Sequence, residues 1–386
     1  MRKRILIIHP EGNLNNNPNL TGIVEILAEA GYLVDVKSPK MAISQSPPCE
    51  GVRFLLENEY FVPKRRRLID RFGSYLLSGI AAVLVDPRII VGRYKLVIGV
   101  DRYGIVEASS IGRLLGIPCG MISYELFFSE ETGPQFKEVE RKASRQIQFA
   151  ICQDKLRASH LSSENDIPID RIVCVPGAGR AAKPGEKTYL LHDRLGIDRG
   201  KKIALVSGSI DEWAMIKELT EAVRFWPEEW VLVLHDRYSS ETAEHFKAGC
   251  GSDRVFVSKI QIPDIRMIGL ILHAADLGIA LYRPDYKSYY TGNNLKHIGL
   301  SSGKISSYLQ HGLPVLTNEL GEISELVRRN RLGFVVRDVN DIRHVLTDYD
   351  RERYSGRCLD FFSKNLDLNL LAERILSTID QSITRV

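Results

Sequence analysis

The residues best placed for chemistry lie at 301–317, SSGKISSYLQHGLPVLT. Ser301, Ser302, Gly303 and Lys304 set two hydroxyls, a bare backbone and one ammonium at the start of a helix. Unpaired N–H groups at that end already favour an anion, so the chemistry predicted is phosphate or carboxylate binding. The same residues also suit an ordinary capped helix packed on a sheet. Ile305, Tyr308 and Leu309 fall at i, i+3 and i+4, which puts them on one helical face. Gly312 stands where a helix C-cap takes positive φ, Pro314 follows, and the apolar run at 315–316 opens a strand.

Other chemistries find less support. Six cysteines (Cys49, Cys119, Cys152, Cys174, Cys250 and Cys358) form no C-x-x-C pair, and nine histidines show no H-x-x-x-H or H-E-x-x-H spacing. A disulfide framework and a zinc site are therefore not expected, and a reducing, cytoplasmic setting is. The turn after the first strand lacks the full G-x-G-x-x-G of a dinucleotide site, and no resident cofactor is expected. The triplet Asp348-Tyr349-Asp350 invites a metal-dependent reading, but it falls among charged helical residues after the last strand; no metal is expected.

A chain of 386 residues, 44% apolar and 26% charged, predicts two globular domains. A net charge of +4 argues against a dedicated nucleic-acid binder. The apolar run at 5–8 stops at His9-Pro10, which makes it a first strand and not a signal peptide. The region 75–91 is broken by Asp86, Pro87 and Arg88 and is too short to span a bilayer. Across 62–84, Lys64, Arg65, Arg66, Arg67 and Arg71 interleave with Leu68, Ile69, Phe72, Tyr75 and Leu76. Such a basic amphipathic helix suits the surface of an anionic membrane, a peripheral location on its inner face; a solvated basic face is the competing reading.

The elements that must position these residues alternate. A buried strand at 3–8, the polar turn His9-Pro10-Glu11-Gly12-Asn13, a helix over 19–30 and a strand at 32–36 make a βαβ opening. Strands at 95–100, 119–123, 149–152 and 171–175 continue it, with helices between them. The pattern restarts at 202–206 and runs through strands at 230–235, 255–258, 276–281, 315–316 and 333–336. The fold class predicted is α/β: a Rossmann-like doubly wound domain over 1–182, a linker at 183–200, a second such domain over 201–364, and a C-terminal helix over 365–386 free to cross back to the first. Open α/β sheets bind ligands at the carboxyl ends of their strands. That rule singles out His9 and the turn after it, Asp101, Tyr124-Glu125, and Ser207-Gly208-Ser209.

Three segments resemble the bacterial glycosyltransferases grouped as family 4, or glycosyl transferases group 1. SGKISSYLQHGLPVLTNELGEISELV looks like their signature segment, with Lys304, Gly312, Pro314, Val315, Gly321 and Glu325 in its places. VSGSIDEWAMIKELTEAV (206–223) is similar to the start of their second domain, and LRASHLSSENDIPIDRIVCVPGA (156–178) to the end of their first. Departures are Ser307 where the family carries a ribose-binding Glu, Gly299 where an acid is usual, and Pro176-Gly177-Ala178 for Pro-Asn-Gly.

The resemblance implies the GT-B fold, with the two domains facing across a cleft, and transfer of a sugar from a nucleotide diphosphate to an acceptor hydroxyl without a metal. It implies a retaining outcome and a place in surface polysaccharide or glycoconjugate synthesis. On that basis Lys304, the Ser302 and Gly303 amides, Gly208 and Ser209 hold the diphosphate, and Gly12, Ser307 and Glu325 complete the donor side. Glu125 orients or deprotonates the hydroxyl of a saccharide or lipid-linked acceptor, or is a solvated loop acid. His9 touches the donor sugar or caps the first helix. A nucleotide-sugar 2-epimerase and a non-catalytic nucleotide-sugar binder are the competing readings of the same fold.

Overall fold

The structure, a computed structural model, describes residues 2–12, 14–40, 46–57, 86–182, 185–237 and 241–384. The basic stretch 62–84 lies outside the described residues. Two units divide the chain. The first comprises Met1–Arg180, Tyr286–Asn294 and Leu368–Val386; the second comprises Ala181–Asp285 and Leu295–Asp367.

The first unit is built on a seven-stranded parallel sheet among the described residues. Its strands are β1 (Arg4–Ile8), β2 (Leu33–Pro39), β3 (Val52–Glu57), β4 (Leu96–Val100), β5 (Cys119–Ile122), β6 (Phe149–Cys152) and β7 (Ile172–Cys174), in the order β3-β2-β1-β4-β5-β6-β7. β1 is apolar without alternation because both its faces are covered. Leu6 and Ile8 join one core, Ile5 and Ile7 the other. The helix Pro18–Glu29 starts at Asn17, whose side chain accepts the Leu20 amide at 2.9 Å. The last helix, Ala372–Thr384, belongs to this unit: Ile375 and Ile379 enter the core with Leu20, Ile23 and Leu27, and Tyr32 donates to Asp380 at 2.5 Å.

The second unit repeats the plan on six parallel strands: β8 (Lys202–Gly208), β9 (Trp230–Asp236), β10 (Val255–Ser258), β11 (Leu277–Ala280), β12 (Val315–Asn318) and β13 (Gly333–Val336). Their order, β10-β9-β8-β11-β12-β13, is the order of the first six strands of the first unit. Both sheets therefore reverse direction beside their first strand, at β1/β4 and at β8/β11. Loops diverge there and leave room for a ligand. The doubly wound α/β expectation holds for both units, and Gly312 caps its helix at φ +64 as the sequence predicts.

Three departures matter. β3 went unread because it is an edge strand with Arg53 and Glu57 in a six-residue run. The 183–200 stretch reads as a linker from its Lys, Gly and Pro content, yet Ala181–Asp285 is continuous in the second unit. Leu191 and Ile197 are buried around the helix Leu190–Leu195, and Lys187 pairs with Asp276 at 2.5 Å. Finally, Tyr286–Asn294 falls within the sequence-predicted second domain but is part of the first unit. Among the described residues no helix is long and apolar enough to cross a membrane.

Candidate active site

In the second unit the chemistry collects at the β8/β11 switch point. The helix Gly303–Gln310 is fixed over it by Tyr308, whose hydroxyl accepts the Ser207 amide at 3.0 Å and lies 3.3 and 3.2 Å from the carbonyls of Leu205 and Ile279. Those two carbonyls belong to β8 and β11, so one side chain spans the junction. Ser302 is the N-cap: its hydroxyl accepts the Ile305 amide at 3.3 Å and meets the buried Tyr282 hydroxyl at 2.5 Å. Gly303, exposed, opens the first turn, where amides have no intrahelical acceptor.

Lys304 extends from that turn back over β8. Its ammonium donates to the Ser209 carbonyl at 2.9 Å and sits 5.3 Å from the Trp213 ring, which stacks on Tyr282. Gly208, at φ +121, lets the chain turn under the lysine; a Cβ there would come 3.1 Å from Lys304 Cε. Burial, and then the positive charge of Arg237, push the Lys304 ammonium down to about 8. Arg237 directly follows β9, the neighbour of β8. An anion brought to this point would meet an ammonium, a guanidinium field and the first turn of a helix.

The matching end of the first unit is acidic. Asp101, at φ +53 where β4 passes into the helix Asp101–Leu115, accepts the amides of Tyr124 and Glu125 at 2.6 and 2.8 Å. Burial, with Glu125 and Glu11 nearby, pushes its carboxyl well above the usual range against those two amides. Burial also raises Glu125, opposed by the Arg157 charge and by a hydrogen bond from Asn294. Tyr124 donates to Asn19 at 2.8 Å, and Asn19 donates in turn to the carbonyls of Pro176 and Ala178 at 2.9 and 2.8 Å. The turn that replaces Pro-Asn-Gly is thereby tied to the acidic loop. His9 is buried at the end of β1, with Gly12 set against its imidazole too closely for any Cβ.

Residues 268–362 match the family model described as "Glucosyltransferase 3-like, C-terminal domain". That span contains the Lys304 helix with its capping serine and the Tyr308 anchor. The chain as a whole has the GT-B fold. Sucrose-phosphate synthase from Thermosynechococcus elongatus superposes at a TM-score of 0.67 and 17% identity, with 100% of each chain covered. HepE from Anabaena, solved with UDP-glucose, superposes at 0.65 and 12% identity, covering 98% of this chain and 99% of its own. The trehalose-6-phosphate synthase OtsA gives 0.68 and 11%, covering 98% and 99%. No curated protein sequence matches this chain.

The structure gathers Gly208, Ser209, Ser302, Gly303 and Lys304 at one place, the end of β8 and the start of the Gly303–Gln310 helix. Ser302 spends its hydroxyl on the cap and on Tyr282, and Ser209 offers Lys304 its carbonyl. Ser307 is half-buried on the same helix, and its hydroxyl has no partner among the described residues. Glu325 stands apart: it is exposed on the helix Gly321–Arg329 and paired with Arg328 at 2.7 Å. In the first unit Glu125 and Asp101 do come together, and Glu125 is half-buried rather than a fully solvated loop acid.

Sequence reasoning missed Arg237, Arg157, Tyr290 and Asn294. Arg237 had a signal, a basic residue at the carboxyl end of a strand next to β8. The other three act across long sequence separations and had none. The Asp348-Tyr349-Asp350 triplet holds its tyrosine in the core, where the hydroxyl bonds to the Asp276 carbonyl and the ring packs edge-on against Trp230. Asp350 accepts the Glu352 amide at 3.0 Å. Among the described residues no cluster of three metal-ligating side chains occurs.

Proposed function

We propose that this protein is a glycosyltransferase that moves a sugar from a nucleotide diphosphate to the hydroxyl of a saccharide or lipid-linked acceptor, without a metal. One observation carries the reading: Lys304, lying over Gly208 at the β8/β11 switch point and sharing an electrostatic field with Arg237. When a sugar leaves its nucleotide, negative charge grows on the diphosphate. Fixed cations and helix-end amides stabilise that charge without reorganising. The ammonium, the guanidinium and the Gly303 amide supply this, and Gly208 keeps side-chain bulk away from the phosphates. Ser307, on the face next to Lys304, carries the open hydroxyl for the ribose. Gly12 and His9 are assigned to the donor sugar. HepE is solved with UDP-glucose, which makes UDP-glucose the first donor to try.

The hydroxyl to be glycosylated falls to the first unit, where Glu125 accepts its proton. A retaining outcome and a role in surface polysaccharide synthesis follow the family resemblance; a cytoplasmic location at the inner membrane face rests on the basic sequence at 64–72. The test is a donor panel of nucleotide sugars, read by calorimetry and by release of nucleoside diphosphate with and without saccharide acceptors. Acceptor-dependent release supports transfer. Binding without release favours the non-catalytic reading, for which Ser307 in place of a carboxylate is the motive. An altered sugar without acceptor indicates epimerisation, and no binding to any nucleotide sugar overturns every one of these readings.

A further inference from the structure

The segment Tyr286–Asn294 follows β11 in sequence and forms part of the first unit. It is held there by aromatic packing and by hydrogen bonds to carboxylates. Tyr289 and Tyr290 pack on Phe127 at centroid distances of 5.2 and 5.3 Å, and the Asn293 amide donates to Glu131 at 2.6 Å. Two further side chains reach the acidic end of the sheet. Tyr290 donates to Glu11 Oε1 at 2.7 Å, and Asn294 donates through Nδ2 to Glu125 Oε2.

The orientation of the Asn294 amide is fixed by its other partners. Its oxygen accepts the Leu126 amide at 2.9 Å and the Arg157 guanidinium at 3.1 Å, both obligatory donors, so the NH2 group must face the carboxylate. Arg157 is itself immobilised by Gln153 Oε1 at 3.0 Å and the Tyr124 carbonyl at 2.6 Å. One oxygen of Glu125 is thereby occupied. The other, Oε1, has no hydrogen-bond partner among the described residues.

We propose that Asn294 is the positioning residue of the acceptor site: its amide holds Glu125 Oε2 so that Oε1 is presented to the acceptor hydroxyl, while Tyr290 holds Glu11 beside it. The proposal rests on the reading of Glu125 as the acceptor-side carboxylate. In the step it serves, the acceptor oxygen bonds to the anomeric carbon on the face from which the diphosphate departs, as a retaining outcome requires, and its proton passes to Glu125 Oε1. The bond from that carbon to the diphosphate breaks, and its electron pair leaves on the phosphate oxygen. A pair of carboxylates ordered by neutral donors also selects the acceptor class. Sugar hydroxyls donate to them, and an acceptor with a phosphate at this position is repelled.

Asn294 also sets the pH at which Glu125 is ready. The charged groups acting on Glu125 are Asp101, Glu11 and Arg157, with Tyr290 bonded to Glu11; Arg157 and the Asn294 amide favour its ionised form, whereas burial and Glu11 oppose it. Because these carboxylates interact, the acid limb of the rate profile belongs to the group as a whole. Losing the amide donor moves that limb to higher pH.

The experiment compares wild type, Asn294→Ala and Asn294→Asp, with UDP-glucose as donor and a tagged saccharide array as acceptors. Asn294→Asp keeps an oxygen for Leu126 and Arg157 and sets a carboxylate oxygen against Glu125 in place of the donor, so it alters that contact while preserving the other two that the alanine variant also loses. The expected result is a drop of about tenfold or more in acceptor kcat/KM. The acid limb should rise by about one pH unit in Asn294→Asp, with UDP-glucose affinity within about twofold of wild type. An unmoved acid limb and acceptor kcat/KM overturn the inference alone, as does an equal loss of donor affinity. A wild-type chain that transfers no sugar overturns the functional reading, and this inference with it.

Discussion

The two sheets share one strand order over six strands and carry opposite chemistry at the same topological point. Where β1 meets β4, the carboxyl ends present Glu11, Asp101 and, one strand further on, Glu125, steadied by Arg157, Asn294 and Tyr290. Where β8 meets β11, they present Lys304, with Arg237 one strand away. The difference cannot come from the fold, because strand order, direction and switch point are the same. It comes from a few loop residues on two versions of one scaffold, which leave one switch point acidic and the other basic. The contrast extends to ionisation: burial pushes the carboxyls up and the Lys304 ammonium down, so each group is easier to neutralise than its kind in water.

The largest effect expected separates the two ends outright. Lys304→Ala removes the charge proposed to meet the leaving diphosphate and should lower kcat for nucleotide release by about 10²–10³-fold, the range seen when one preorganised donor is lost. Glu125→Gln keeps the shape of the acidic end and removes its proton acceptor. Acceptor-dependent transfer should fall by about 10²-fold, the lower range for a general base, while UDP-glucose affinity by calorimetry stays within about twofold. If the two variants lose donor affinity and acceptor turnover in the same proportion, the division of labour between the two ends is wrong.

A smaller effect probes the basic end by pH. Lys304 is charged below about 8 and loses its proton as pH rises through that value, so kcat/KM for the donor should decline on the alkaline side near pH 8. Part of the depression is Arg237's charge. Arg237→Ala should therefore weaken donor binding by about tenfold, as for one lost contact to a charged group. The same substitution should move the alkaline limb upward. A limb that stays in place would mean that burial alone sets the lysine.

Much of this arrangement was legible before the structure. Apolar runs such as KRILII and KLVIGV, each closed by a polar turn, give a parallel sheet buried on both faces, and the Lys304 turn announces its helix end through Ser302 and Gly312. What escaped was long-range or weakly patterned. β3 carries charge because it lies on an edge, and the helix Thr242–Cys250 buries only Ala243, so neither shows a clean period. Tyr286–Asn294 reads as a polar loop because its partners, Phe127, Glu125 and Glu11, lie more than a hundred residues away in sequence. Hydrogen bonds of that kind leave no local periodicity. Ser302 was legible as an N-terminal serine, but whether its hydroxyl faces a phosphate or the helix was not.

Ser302 gives the smallest effect and the sharpest check on the basic end. Its hydroxyl caps the helix and meets Tyr282, and only 3% of the residue is exposed. Ser302→Ala loses a cap worth about 1 kcal/mol and leaves the buried Tyr282 hydroxyl without that partner, so a total near 2 kcal/mol should appear in denaturant unfolding. Tyr282→Phe removes the other half of the pair. Because the two groups touch, the double variant should cost about 0.5 kcal/mol or more less than the sum of the single ones. Nucleotide release by folded Ser302→Ala should stay within about threefold of wild type, since the charge on Lys304 and the Gly303 amide are untouched. A hundredfold loss of release with stability intact would instead assign the Ser302 hydroxyl to the phosphates. The basic end would then recognise its ligand by side-chain hydroxyl as well as by charge.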